Sequence, residues 1–163
     1  MKRPALKRPK PRGPRPRIIA RVPGLSYVDL DEHLGYVLRR AQLAAFEVFQ
    51  HSTAGLDITP PRYTALTIVG ANPGLSQSTL GAALGTARSG AMMLTNWLED
   101  RGLAERRRLD GDGRAWGLHL TARGKALLAK LRRRVLADNA AFAERLSPAE
   151  LATLKKLLDK LSG

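Results

Sequence analysis

Residues 104–121 read AERRRLDGDGRAWGLHLT. Asp-Gly occurs twice in succession here, and Asp-Gly between two runs of strand-forming residues is a strong hairpin signal. The pattern predicts a strand over 103–109, a turn over 110–113 and a strand over 115–120. On the return strand Trp116, Leu118 and Leu120 alternate onto one side, so that side is predicted to be buried. Arg106, Arg107, Arg108 and Arg114 crowd the two sides of the turn. One or two charges would keep a hairpin soluble; four arginines imply an anionic partner.

Upstream of the hairpin, Thr59-Pro60-Pro61 starts a helix with a cap residue followed by proline where a missing N–H costs nothing. That helix is predicted to run to about Gly70, and Asn72-Pro73-Gly74 forms a turn. Ser76 is predicted to cap a short helix over 77–84, stopped by Gly85. Thr86 is predicted to cap the next, over 87–101, with Gly102 as its left-handed stop. Two short helices divided by a glycine stop, then a two-stranded hairpin, make a winged helix-turn-helix.

Further out, residues 29–51 carry Leu30, Leu34, Val37, Leu38, Ala41, Ala45, Val48 and Phe49 at helical spacing. Thr121 caps a long helix over 122–145, striped by Leu128, Leu131, Val135 and Phe142. Ser147-Pro148-Ala149-Glu150 is a capping box opening a last helix lined by Leu151, Leu154, Leu158 and Leu161. The fold is therefore read as mainly α with a small β-hairpin wing. These outer helices carry more apolar stripe than one winged helix can cover, which predicts a homodimer built from the termini. The domain reading is a basic arm over 1–24, a helical dimerisation region over 25–58 and 121–163, and a DNA-binding domain over 59–120.

Composition supports the anionic partner. The 163 residues carry a formal net charge of +14 and a sequence pI near 11.2, which favours nucleic acid or another anionic surface. The first 24 residues hold nine Lys/Arg, no acid and six of the ten prolines, so only +5 of the +14 belongs to the other 139 residues. Such a segment is read as a disordered or polyproline-like arm, either a solubilising tail or a DNA-grasping one. No apolar run approaches the ~20 residues of a membrane span. The absence of cysteine excludes disulfides and thiolate chemistry and accords with a reducing cytoplasm.

The stretches ITPPRYTAL (58–66), NPGLSQSTLGAALG (72–85), SGAMMLTNWLEDRGLAERR (89–107) and DGRAWGLHLTARGKALL (112–128) resemble the MarR family of bacterial transcription regulators. The resemblance extends roughly over residues 30–163. It implies a homodimer with two winged domains on a pseudo-palindromic operator in double-stranded DNA, usually repressing and usually relieved by a small, often phenolic, ligand. It further implies that the wing reaches the minor groove, with Arg114 inserted and Asp112 orienting its guanidinium. Arg106–Arg108 would meet phosphates, a role the arginine fork suits.

On the helix over 87–101 the predicted exposed set is Arg88, Ser89, Met92, Met93 and Asn96, and the inner set Ala91, Leu94 and Leu98. Arg88 is assigned to a guanine edge. The two methionines either touch thymine methyls or fill gaps in the core. Gly90 costs about 1 kcal/mol against alanine inside a helix, for which close backbone approach to DNA is one reason. Ser76, Gln77 and Ser78, at the start of the preceding helix, complete the DNA-binding set.

By the same resemblance, Tyr36, Arg39, Arg40, Phe46, His51, Arg62 and Tyr63 are candidate ligand contacts. The Arg39-Arg40 pair would suit an aromatic acid or its coenzyme A thioester; alternatively it faces solvent or pairs with Glu47 or Asp29. No cofactor or metal is expected. The three histidines form no His-Glu-x-x-His pattern, Gly124-Lys125 lacks P-loop spacing, and Asp110-Gly-Asp112-Gly lacks the closing glutamate of a calcium loop. An enzyme is not predicted. Two readings remain: a cytoplasmic, nucleoid-associated, ligand-responsive repressor, and an architectural protein that coats DNA through its basic arm.

Overall fold

The computed structural model describes the backbone of residues 22–109 and 112–163, and the side chains of these except 109 and 112–115. The basic arm thus lies almost wholly outside the described residues, as does the tip of the hairpin. The elements are a 3-10 turn (Leu30–Glu32), α1 (Leu34–Ser52), α2 (Pro60–Ala71), α3 (Gln77–Ala83), α4 (Arg88–Asp100), β1 (Ala104–Leu109), β2 (Asp112–Leu120), α5 (Ala122–Ala143) and α6 (Pro148–Ser162). This is the expected mainly helical architecture with one small antiparallel hairpin.

The chain divides into two compact units, residues 1–47 and 48–163. In the first, the single helix expected over 29–51 is interrupted. His33 takes extended dihedrals (φ −80°, ψ 113°) after the 3-10 turn, and α1 begins only at Leu34. Leu34, Val37 and Leu38 on α1 are exposed in the single chain.

In the second unit the core is formed by Ala65, Leu66 and Val69 of α2, Leu80 of α3, Trp97 and Leu98 of α4, Leu118 and Leu120 of β2, and Leu131 of α5. Local chemistry sets most element starts. The hydroxyl oxygens of Ser76, Thr121 and Ser147 accept the N–H groups of Thr79, Gly124 and Glu150, and Glu150 answers Ser147 in a complete capping box. Pro60 and Pro61 fill the first turn of α2, whose cap position Thr59 forms no side-chain bond. On α6, Leu154, Leu157, Leu158 and Leu161 remain exposed in the single chain.

Two further expectations are corrected. Thr86 does not cap α4: Ala87 holds that position without a side-chain bond, and the Thr86 N–H returns to the Gly81 carbonyl at 3.1 Å. The Thr86 hydroxyl instead occupies the space that a Cβ on Gly90 would need. Gly90 therefore has an internal reason for its missing side chain, the seating of Thr86.

Trp116 is not buried with Leu118 and Leu120; it is 50% exposed. Among the described residues the hairpin gains a third, bridging partner at Leu75, whose carbonyl accepts the Leu118 N–H at 2.8 Å. There the loop before α3 presses so closely that a Cβ on Gly117 would lie 2.5 Å from the Gly74 carbonyl oxygen. Trp116 sits beyond that support, towards the tip.

Candidate nucleic-acid interface

Helix α4 presents two chemically distinct sides. Ala91, Thr95, Trp97 and Leu98 are buried, with Leu94 partly so. Arg88, Ser89, Met92, Met93 and Asn96 are exposed. The methionines, 48% and 67% exposed, are not core fillers. Thr95 is a buried polar residue that pattern reading missed. Its hydroxyl donates to the Ala91 carbonyl at 2.9 Å, which satisfies it inside the helix and hides it from a hydropathy count.

The N-terminal residues of α3 are partly committed. The Ser76 hydroxyl holds Thr79 N–H at 3.1 Å and lies 2.8 Å from the Ser78 hydroxyl. Gln77 Oε1 accepts from Arg106 Nη2 at 3.0 Å. This joins the start of α3 to the incoming strand of the wing.

The three arginines of that strand are not equivalent. Arg106 also pairs with Glu99 of α4 at 3.3 Å. Arg107 folds back on Glu105, with contacts of 2.9 and 2.5 Å. Arg108 meets no carboxylate among the described residues; its guanidinium carbon lies 5.6 Å from the ring centroid of Trp116. The strand register pairs Arg106 with Leu118 and Arg108 with Trp116, and slips between Arg108 and Leu109. Gln77, Arg106, Trp116 and Leu118 enclose a groove of about 360 Å³. Asp112 and Arg114 are placed on β2 by backbone alone; the expected contact between their side chains lies outside the described residues.

A cluster with no linear signature anchors the far end of α4. Asp57, in the loop before α2, pairs with Arg62 at 2.6 Å and Arg101 at 2.5 Å. Both guanidinium groups also stack on Trp97, at 4.5 and 4.6 Å from its centroid. Desolvation pushes the Asp57 carboxyl up, but Arg62 and Arg101 outweigh it and hold the group below the usual carboxylate range. Only the Trp97/Arg101 spacing, one helical turn, was visible in the sequence. The contact from Arg101 back to Asp57 spans 44 residues.

The candidate ligand residues are distributed over both units. In the first, Tyr36 stacks on Tyr27 at 5.9 Å, and Arg40 lies over Tyr36 and pairs with Asp31 at 3.1 Å. Arg39 donates to Gln42 at 2.9 Å, and Phe46 is half-buried. Arg40 is thus paired, with Asp31 rather than with Glu47 or Asp29. In the second unit Tyr63 packs on Phe49 at 5.7 Å, and Arg62 belongs to the Asp57 cluster. His51 lies 3.3 Å from Asp138. The Ser52 hydroxyl donates to that carboxylate at 2.7 Å and, with His51, lowers its pKa. These three candidates hold three separate sets of partners.

Among the described residues no group of three or more His, Cys, Asp or Glu is placed to hold a metal ion. No described helix is long and apolar enough to cross a membrane.

Comparison with known proteins converges on one kind of molecule. Residues 56–115 match the profile described as MarR family. A Thauera aromatica protein named for transcriptional regulation of the hcr operon is 40% identical over 129 residues, 78% of each chain. The HTH-type transcriptional repressor Rv2887 of Mycobacterium tuberculosis is 29% identical over 133 residues, covering 82% of this chain and 96% of that one. Among solved structures, the transcriptional repressor CouR bound to a 23-mer DNA duplex superposes with a TM-score of 0.79 at 34% identity, over 85% of this chain and 99% of that one. CouR bound to p-coumaroyl-CoA superposes with a TM-score of 0.77 at 33% identity, over 85% and 97%.

Proposed function

Because the chain belongs to the MarR family of transcriptional regulators, we propose that it is a homodimeric repressor that binds a pseudo-palindromic operator and is released by an aromatic acid or an aromatic acyl-CoA. The observation that carries this reading is the exposed side of α4 beside an arginine-rich wing, on a chain 34% identical to a repressor captured on duplex DNA. Arg88, Ser89, Met92, Met93 and Asn96 enter the major groove. Ser76, Gln77 and Ser78 lie at its edge, and Arg114, oriented by Asp112, enters the minor groove. The exposed leucines of α6 and the apolar side of α1 supply the dimer contact. The effector class is supported by the similarity to CouR, solved with p-coumaroyl-CoA, and to Rv2887, solved with salicylic acid. The protein acts by binding rather than catalysis, in the cytoplasm, on the nucleoid.

Footprinting tests this on the DNA upstream of the protein's own coding region, with full-length chain and with a version starting at Gly24. One discrete two-fold-symmetric protected stretch, retained without the arm and released by p-coumaroyl-CoA or salicylate, is expected. Half-sites should lie about 10 bp apart, centre to centre. The nine charges of the arm favour a second reading, architectural DNA coating. Uniform protection that disappears with the arm would establish it instead.

A further inference from the structure

Trp116 lies on the same side of β2 as Leu118, which is 1% exposed, yet Trp116 itself is 50% exposed. A large aromatic side chain left half-wet forgoes part of its burial free energy. The guanidinium carbon of its cross-strand neighbour Arg108 lies over the ring, 5.6 Å from the centroid. Attraction of the cation to the ring uses its charge and leaves its N–H donors available to an acceptor. Arg106 and Arg107 spend those donors on Glu99, Gln77 and Glu105. Arg108 meets no such acceptor among the described residues.

The groove of about 360 Å³ beneath this pair has Trp116 and Leu118 as apolar lining and Gln77 and Arg106 as polar lining. Its link to α4 is Arg106, which pairs with Glu99 of that helix at 3.3 Å. Glu99, which braces Arg106, follows the exposed Asn96 by three residues, on the same side of the helix. An occupant must offer an apolar body and, adjoining it, an anion with acceptors in reach of Arg108. The sugar–phosphate strand of DNA repeats that pattern.

We propose that Trp116 and Arg108 together grip the sugar–phosphate strand of duplex DNA at the groove between β2 and the start of α3, Trp116 packing on a deoxyribose and Arg108 donating to the adjoining phosphate. The proposal rests on the wing and α4 forming the DNA-binding surface. It assigns Arg106 and Arg107 a different role, bracing the strand rather than meeting phosphate. The contact is blind to base sequence and fixes the depth at which the wing seats on DNA.

The test titrates the full-length protein with two labelled duplexes of equal length, one from the DNA upstream of its coding region and one unrelated. Trp116→Ala and Arg108→Ala should each weaken both duplexes by the same factor, on the order of tenfold. Arg108→Ala should also lower the slope of log K against log salt by about 2, one phosphate contact being lost from each subunit of the dimer. Trp116→Phe should retain most of the affinity. A second measurement uses the unaltered protein: acrylamide quenches the exposed Trp116 in the free chain, and either duplex should shield it. Unchanged affinities, or a Trp116 still quenched in the complex, would overturn the proposal alone. So would a loss confined to the upstream duplex, which would make the contact a base contact. Failure of the unaltered protein to bind either duplex would overturn the DNA-binding surface along with it.

Discussion

Trp97 and Trp116 each carry arginine on the ring, at 4.5 and 4.6 Å for the two guanidinium groups on Trp97 and 5.6 Å for the one on Trp116. Trp97 is 8% exposed and Trp116 50%. The difference is a carboxylate. Asp57 bridges Arg62 and Arg101, so the Trp97 cluster closes on itself and fastens the end of α4 to the start of α2. Arg108 lacks such a partner among the described residues, so the wing pair stays open. The same ring–arginine contact closes on itself where a carboxylate completes it; where no described carboxylate does, it is the pair proposed to grip DNA.

The largest expected effect tests the closed cluster. Trp97→Ala removes a buried indole and the surface on which two guanidinium groups rest. It should destabilise the fold by about 3–5 kcal/mol in urea denaturation. A smaller loss would mean that the cluster is peripheral. Asp57→Asn leaves Arg62 and Arg101 side by side without their shared counter-charge. Charge-assisted bonds contribute about 1.5–3 kcal/mol, but Asp57 is about half exposed, and solvent screening reduces the expected loss to about 1 kcal/mol. The pH dependence has a definite sign. Asp57 has its carboxyl pKa lowered in the folded state. Its stabilisation is therefore present above the unfolded-state value near 4 and lost as pH falls through the lower folded value. The stability gap between the unaltered protein and Asp57→Asn should be constant from about pH 6 to 5 and close below about pH 4. A gap that widened in acid would show that Asp57 does not act as a carboxylate.

The two tryptophans also show what the sequence discloses. Local signals were legible: the presence of the hairpin, although its return strand begins at Asp112 and so takes in two residues assigned to the turn, the caps at Ser76, Thr121 and Ser147, and the glycine stops at Gly85 and Gly102. The alternation of Trp116, Leu118 and Leu120 told which side of the strand they share. It did not tell where the sheet's support ends, because that depends on Leu75, 43 positions away from Leu118 in the chain. Thr86 looked like a cap because its residue type fits one. The Gly81 carbonyl takes its N–H instead, and its hydroxyl turns to Gly90. The Asp57 cluster joins residues 57, 62, 97 and 101; helical spacing links only Trp97 to Arg101, and nothing in the sequence ties that pair to Asp57 and Arg62. The resemblance supplied Arg114 and Asp112 as wing-tip residues; their side chains lie outside the described residues.

The smallest stability effects belong to the open pair. Trp116→Ala removes a half-exposed ring beyond the sheet's third partner, and should change stability by no more than about 0.5 kcal/mol while DNA affinity falls. A loss approaching that of Trp97→Ala would erase the contrast between the two sites. Gln77→Glu sharpens it further, because it introduces at the wing the group that closes the Trp97 cluster. The new carboxylate would stand beside Arg106 in the groove lined by Trp116. As an exposed ion pair it should add between 0 and about 1 kcal/mol of stability. As a fixed negative charge at the proposed path of a phosphate strand, it should weaken binding to any duplex, with the penalty growing as salt is lowered. Unchanged affinity in low salt would place the DNA strand elsewhere, and the missing carboxylate would then have no bearing on recognition.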